Sequence, residues 1–205
     1  ITTFQYYPNT PGQGNNQGQL QAIVNALGQN IQFSNYDANG NVGTITDPNG
    51  VIIQRTYDER NRIKTITNQT TNAQTQYFYD ARGNLSYIIL PEGNQINFTY
   101  DPANKLTAVQ DNLGNKIVYQ YDVEGNRTHE EVQDPQGVLK KYLDFTYDAY
   151  NRLQNIVNAD ASYTGYTYDG IGNITANKDP KNNNTTYAYD ALRRLTNITQ
   201  PLTTI

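Results

Sequence analysis

Eight carboxylates recur at nearly fixed spacing, each preceded by a tyrosine: Tyr36-Asp37, Tyr57-Asp58, Tyr79-Asp80, Tyr100-Asp101, Tyr121-Asp122, Tyr147-Asp148, Tyr168-Asp169 and Tyr189-Asp190. Carboxylates in that number suggest acid–base pairs or calcium, and rows of phenols suggest a face that stacks on sugar rings. Calcium wants about six to eight oxygens, usually from several carboxylates, and one carboxylate per repeat falls short. Each Asp reads better as a turn residue whose carboxylate accepts nearby backbone N–H groups. The tyrosines read better as a ladder, stacked on one another between adjacent hairpins. Calcium and a glycan-binding face stand as the alternatives. Nucleophilic catalysis needs a base, a nucleophile and an orienting group to converge. The only histidine is His129 and the only serines are Ser34, Ser86 and Ser162. His129, beside Glu130 and Glu131, reads as a solvated side chain. The chain is therefore read as no enzyme, with no catalytic, metal or cofactor site.

The elements that hold these residues follow from the spacing. Successive tyrosines are 21, 22, 21, 21, 26, 21 and 21 residues apart. A fixed period of this size marks a repeat architecture, each unit one supersecondary element that cannot bury its own apolar face. Four residues after each Tyr stand Gly40, Asn61, Gly83, Asn104, Gly125, Asn151, Gly172 and Arg193. Gly and Asn take the left-handed conformation of a tight turn most easily, so positive φ is predicted at these positions and at Gly18. Arg193 is the exception, and its hairpin is expected to be irregular. A polar residue follows, then Val42, Ile63, Leu85, Leu106, Leu153, Ile174 or Leu195, with Arg127 out of pattern. Nine residues after the Tyr stand Ile45, Ile66, Ile88, Val109, Ile156 and Ile198, with Glu130 and Asn177 out of pattern. Second turns such as Asp47-Pro48-Asn49-Gly50 and Asp134-Pro135-Gln136-Gly137 come next. Two residues before the Tyr sit aromatics such as Tyr77, Phe98 and Phe145, on one strand face with it.

Each unit thus reads as strand, turn, strand, turn. The predicted fold is all-β, tandem β-hairpins in an antiparallel meander with no helix longer than about two turns. Leu20, Ile23, Val24 and Leu27 also fit a helical period. They match the repeat as well, and a further unit is placed there, behind a Gly/Asn/Gln-rich insertion over Pro11 to Gln17. Between Tyr121 and Tyr147 five extra residues predict a longer hairpin or a bulge. Two fall before Val132 and three between Gly137 and Tyr147.

Composition removes other classes. Nineteen acidic against fifteen basic residues do not supply the clustered cations that nucleic acid requires. No apolar run approaches the ~18 residues of a membrane span. Cys is absent, which removes disulfides and thiol chemistry, and eighteen of twenty-three aromatics are Tyr. The chain has no Met, and Pro201-Leu202-Thr203-Thr204-Ile205 stops partway through a unit. Residues 1–205 are expected to be one repeat region of about nine units, a fragment of a longer chain. Sequons at Asn68, Asn84, Asn97, Asn126, Asn173, Asn183, Asn184 and Asn197 largely fall out of the repeat itself.

The unit Tyr-Asp-x-x-Gly-Asn/Arg-Leu-x-x-Ile-x-Asp-Pro-x-Gly resembles the RHS repeat, also called the YD repeat. Tyr36-Asp37-Ala38-Asn39-Gly40-Asn41-Val42 and Tyr79-Asp80-Ala81-Arg82-Gly83-Asn84-Leu85 match it closely. The resemblance runs through about the whole chain. It implies a curved sheet strip that spirals, with more repeats, into a hollow shell. Bacterial relatives include polymorphic toxins, toxin-complex components and wall-associated proteins, and teneurin ectodomains are animal relatives. It further implies a secreted or surface-exposed, bacterial protein. Its wall would enclose a toxin cargo or form a surface fibre, and its partners would be further repeats or neighbouring copies edge to edge. A glycan- or receptor-binding module is the alternative. The aspartyl self-cleavage segment of many relatives has no counterpart here. The Asp-Pro pairs at Asp47, Asp101, Asp134 and Asp179 are ordinary repeat positions.

Overall fold

The computed structural model describes residues 1–201, so the incomplete unit at 202–205 lies outside the described residues. The chain divides into two units, Ile1–Asn97 and Phe98–Ile205, each described by itself. The first is built from β1 (Thr3–Tyr6), β2 (Leu20–Val24), β3 (Asn30–Ser34), β4 (Thr44–Thr46), β5 (Ile52–Tyr57), β6 (Ile63–Asn68), β7 (Ala73–Tyr79), β8 (Leu85–Ile89) and β9 (Gln95–Tyr100), which runs past its end. The second is built from β10 (Leu106–Asp111), β11 (Lys116–Tyr121), β12 (Arg127–Gln133), β13 (Leu139–Tyr147), β14 (Leu153–Asn158), β15 (Tyr163–Tyr168), β16 (Ile174–Lys178), β17 (Asn184–Tyr189) and β18 (Leu195–Thr199). Within each unit every strand pairs antiparallel with the next in sequence. The only helical piece among the described residues is a single 3-10 turn at Gly14–Asn16, inside the insertion before β2. Leu20–Val24 is a strand, and Gly28 N–H closes the following turn on the Asn25 carbonyl at 3.0 Å.

The turns explain the regularity. After each repeat Tyr the Asp N–H donates to the carbonyl four residues on, and the residue before that one donates back to the Asp carbonyl. At Asp80 these bonds are 2.9 Å from Asp80 N–H to the Asn84 carbonyl and 3.1 Å from Gly83 N–H to the Asp80 carbonyl. The left-handed residue closes a type I turn with a one-residue bulge, a common hairpin solution that matches strand twist. Gly40, Asn61, Gly83, Asn104, Gly125, Asn151 and Gly172 all have positive φ there, as does Gly18. Arg193 corrects the expectation of an irregular end. Its φ is 62°, and its N–H donates to the Asp190 carbonyl at 2.9 Å as in every other unit. The bonds of the turn outweigh the steric cost that a side chain carries in this conformation.

Register sorts the side chains onto two faces, because directly opposed residues share a face. In the first unit one face carries Ile23, Ile31, Phe33, Ile45, Ile53, Ile66, Tyr77, Ile88 and Ile96. The other carries Gln32, Thr44, Gln54, Thr65, Gln74, Gln76 and Asn97, amides and hydroxyls, with Phe78 stacked on Tyr87 at 4.3 Å. In the second unit one face carries an apolar row of its own, Val109, Ile117, Val132, Leu143, Phe145, Ile156 and Tyr166. Among the described residues only Ala22, Ala108, Phe145 and Gly165 are fully buried, and the apolar row is half-buried.

The five extra residues between Tyr121 and Tyr147 lengthen one hairpin. β12 has 7 residues and β13 has 9, with a register shift at Val132/Gln133. The two out-of-pattern residues of this unit answer each other. Arg127 stands at an aliphatic position and Glu130 at an Ile position, and Arg127 Nη1 lies 2.9 Å from Glu130 Oε2. The guanidinium lies over the rings of Tyr119 at 5.6 Å and Phe145 at 4.8 Å, so its stem and plane replace the missing apolar contact.

Candidate functional site

The repeat tyrosines act through their hydroxyls. Tyr36 donates to the carbonyl of Leu20, Tyr57 to Val42, Tyr79 to Ile63, Tyr121 to Leu106, Tyr147 to Arg127 and Tyr168 to Leu153, at 2.7–2.9 Å. The acceptor is always the first residue past the turn of the preceding unit. Each bond thus ties one hairpin to the one before it. This corrects the ring-on-ring ladder: these six phenols are bound to backbone of the neighbouring hairpin. The Tyr36, Tyr79, Tyr121 and Tyr168 hydroxyls are held above the usual phenol range, chiefly by burial.

The repeat aspartates hold the turns. Asp37 Oδ1 accepts from the N–H of Asn39 and Asn41, both at 2.9 Å, and Asp37 Oδ2 accepts from Asn41 Nδ2 at 2.9 Å. Asp148 repeats the pattern with Tyr150, Arg152 and the Arg152 Nε. The side-chain bond, followed by backbone N–H groups, holds the Asp37 and Asp58 carboxyls below the ordinary carboxylate range. Oxygens committed this way are poorly placed to coordinate calcium, and no cluster of metal-ligating side chains occurs among the described residues. The same turn chemistry ties up the sequon amides of Asn84, Asn126, Asn173 and Asn183 against Asp80, Asp122, Asp169 and Asp179.

Sequence reasoning missed the residue after the left-handed position. Arg62 lies 4.0 Å over the ring of Tyr79, Lys105 5.4 Å over Tyr121, and Arg152 4.5 Å over Tyr168, each the Tyr of the following unit. Lys105 Nζ also donates to the Asp122 carbonyl at 3.3 Å, and Arg152 Nη1 to the Asp169 carbonyl at 3.0 Å. The signal was in the alternation of Asn with Arg or Lys at this position.

His129 is half-buried, which corrects its reading as a solvated side chain. Its Nδ1 lies 2.5 Å from Asp144 Oδ1 and its Nε2 3.3 Å from Glu131 Oε2, and the ring stacks on Tyr142. The bond to Asp144, reinforced by Glu131, raises the imidazole above its ordinary value against the opposing pull of burial. Both ring nitrogens are engaged by carboxylates, and none of Ser34, Ser86 or Ser162 is among their partners. The arrangement staples β12 to β13 and presents no activated nucleophile.

Residues 13–126, more than half of the chain, match the teneurin YD-shell family. The chain belongs to the YD-shell family. Residues 172–205 match the RHS repeat. No curated protein matches the YD-shell chain. Among solved structures, the TcdB2-TccC3 complex superposes with a TM-score of 0.78 at 17% identity, over 98% of this chain and 13% of that one. The Tc holotoxin pore of Photorhabdus luminescens gives 0.77 at 16% identity, over 97% and 12%. At these identities the likeness is one of fold, and the YD-shell chain spans about an eighth of those chains. No helix among the described residues is long and apolar enough to cross a membrane.

Proposed function

We propose that this YD-shell chain is a stretch of wall in a larger secreted or surface protein, one that encloses a toxin cargo. The observation that carries this reading is the segregation of the two faces. A row of half-buried Ile and aromatic side chains lies opposite a row of amides and hydroxyls. A wall with chemically different sides suits an enclosure, with one side turned to the contents and the other to water. Extended apolar faces on soluble proteins mark interaction surfaces. A sheet that only presents a binding site has no need of the contrast along its whole length. The glycan-binding alternative is disfavoured because six repeat tyrosines spend their hydroxyls on neighbouring backbone.

The test is imaging of the complete polypeptide by electron cryo-microscopy. A hollow particle with density inside, its inner surface formed by the Ile face, is the expected result. A solid fibre, or an open strip with both faces in solvent, overturns the enclosure reading. Binding to a glycan array that is lost on removing exposed Tyr side chains supports the alternative.

A further inference from the structure

Gly165 is the only glycine inside a strand among the described residues. It stands three residues before its repeat Tyr, where side chains such as Gln76, Asp144 and Thr186 fill the face opposite the apolar row. Glycine inside a strand often marks a place that another group approaches closely. Lys178 stands directly opposite Gly165 in the β15–β16 register. Tyr163 leans over the glycine: a Cβ at Gly165 would lie 3.1 Å from Tyr163 Cε2 and 3.2 Å from Asn155 Oδ1. The Tyr163 hydroxyl accepts from Lys178 Nζ at 2.9 Å. Beside the ring remains a hollow of about 230 Å³, lined by Asn155, Gly165, Ala176, Lys178 and Asn184 with Tyr163 as one wall.

The hollow collects donors and one positive charge. The half-buried Lys178 carries three N–H donors and places one on the phenol. Having accepted that bond, the Tyr163 hydroxyl keeps its own hydrogen to donate. The Asn184 side chain makes no hydrogen bond among the described residues, and Asn155 Nδ2 spends one of its two hydrogens on Thr146 Oγ1 at 2.9 Å. A partly buried charge costs free energy that a counter-charge offsets, yet no carboxylate pairs with Lys178 among the described residues. β14, β15, β16 and β17 contain no acidic residue. The acids of the adjoining turns are committed. Asp179 accepts from the N–H groups of Lys181 and Asn183 and from Asn183 Nδ2, and Asp160 accepts from the Ser162 N–H and hydroxyl. We propose that this hollow binds the carboxylate of a glutamate or aspartate side chain presented by a partner polypeptide. Lys178 supplies the counter-charge, and Tyr163 and Asn184 supply further donors to the same oxygens. The volume lies below the about 300–1,000 Å³ of sites that enclose a whole small molecule, and suits a single side chain. The site is on the face opposite the apolar row and does not rest on the wall reading.

The test titrates the intact chain with acetyl-Gly-Glu-Gly-amide and, in parallel, with its Gln counterpart, followed by nitrogen–proton correlation spectra. The Glu peptide is expected to shift the amides of Gly165, Ala176 and Lys178 saturably at millimolar concentration, and the Gln peptide to leave them in place. Lys178→Gln is expected to weaken the Glu peptide about tenfold, the factor for one charge-assisted bond. Tyr163→Phe keeps the charge and is expected to weaken it by a smaller factor. Lys64→Gln removes the same charge from an exposed position in the first unit and is expected to change nothing. Spectra of the variants without peptide check that β15 and β16 stay folded. Equal shifts from the two peptides, or an unchanged titration in Lys178→Gln, overturn the site. Saturation by glucuronate at lower concentration than by the Glu peptide overturns the polypeptide occupant in favour of a sugar acid. An absence of any shift overturns the carboxylate site altogether, and the wall reading stands or falls separately on imaging of the complete polypeptide.

Discussion

Ala161 takes the place that Gly or Asn fills in the other second turns. Its φ is 62°, and its N–H donates to the Asn158 carbonyl at 3.0 Å. A Cβ in that conformation costs roughly 1–2 kcal/mol, since it crowds the following carbonyl. Ala161→Gly is expected to stabilise the protein by about 1 kcal/mol, less than the strain because glycine gains freedom in the unfolded chain. Asn104→Val runs the other way and is expected to cost roughly 1–2 kcal/mol. Urea denaturation of the two variants beside the parent checks both signs. The hydroxyl bonds between hairpins have their own test. Tyr168→Phe keeps the ring under Arg152 and removes one bond to the Leu153 carbonyl. It is expected to cost about 1 kcal/mol, and an unchanged midpoint would show that the phenol bond contributes nothing net. These left-handed positions were legible in the sequence because the backbone restricts residue type there. The hydroxyl acceptors were not, since every residue offers a carbonyl and only the register selects one.

At the scale of the element, β12 and β13 stand apart. His129 reaches Asp144 directly across the pair and Glu131 two residues along its own strand. On the β11 side the same face brings Gln120 opposite His129, Val118 opposite Glu131, and Lys116 opposite Gln133. The imidazolium is the form these carboxylates favour, so folding raises the histidine's affinity for a proton. Stability from this staple is fully present below the unfolded value near 6.5 and is lost as pH rises through the higher folded value. Thermal melts from pH 6 to pH 9 are expected to fall in the parent. In His129→Gln that part of the slope should vanish; an identical slope in both would exclude the histidine as its source. The partner Asp144 was not legible in the sequence. It lies 15 residues from His129, and the extra residues that bring it opposite fix a register that spacing alone left open. Arg127 and Glu130 were visible only as two lapses in the pattern. Their pairing became evident once the register set Glu130 opposite Tyr119 and the Arg127 guanidinium lay over the same ring.

At the scale of the whole molecule, the same aspartate turn recurs from Asp37 to Asp190, so acid acts on many hairpins at once. Side-chain and backbone bonds depress the carboxyls of Asp37, Asp58, Asp122, Asp148 and Asp179. The unfolded chain binds protons first as pH falls. The contribution is complete above the unfolded value of about 3.9 and disappears as pH drops through the lower folded values. Circular dichroism melts taken stepwise below about pH 4 are expected to show a steep, progressive decline. The fold class was legible throughout because turn residues and apolar positions repeat with one period, and each unit confirmed the last.

The half-buried apolar row also bears on how the protein must respond to heat. Among the described residues only Ala22, Ala108, Phe145 and Gly165 are fully buried and the Ile row is half-buried, so unfolding brings less new hydrocarbon into contact with water than in a domain with a closed core. Ordinary globular domains gain about 12–15 cal/mol/K of heat capacity per residue on unfolding, most of it from that exposure. This chain should fall below that figure in scanning calorimetry. Its stability would then vary less steeply with temperature than that of a closed-core domain of the same length, on the cold side as well as the hot.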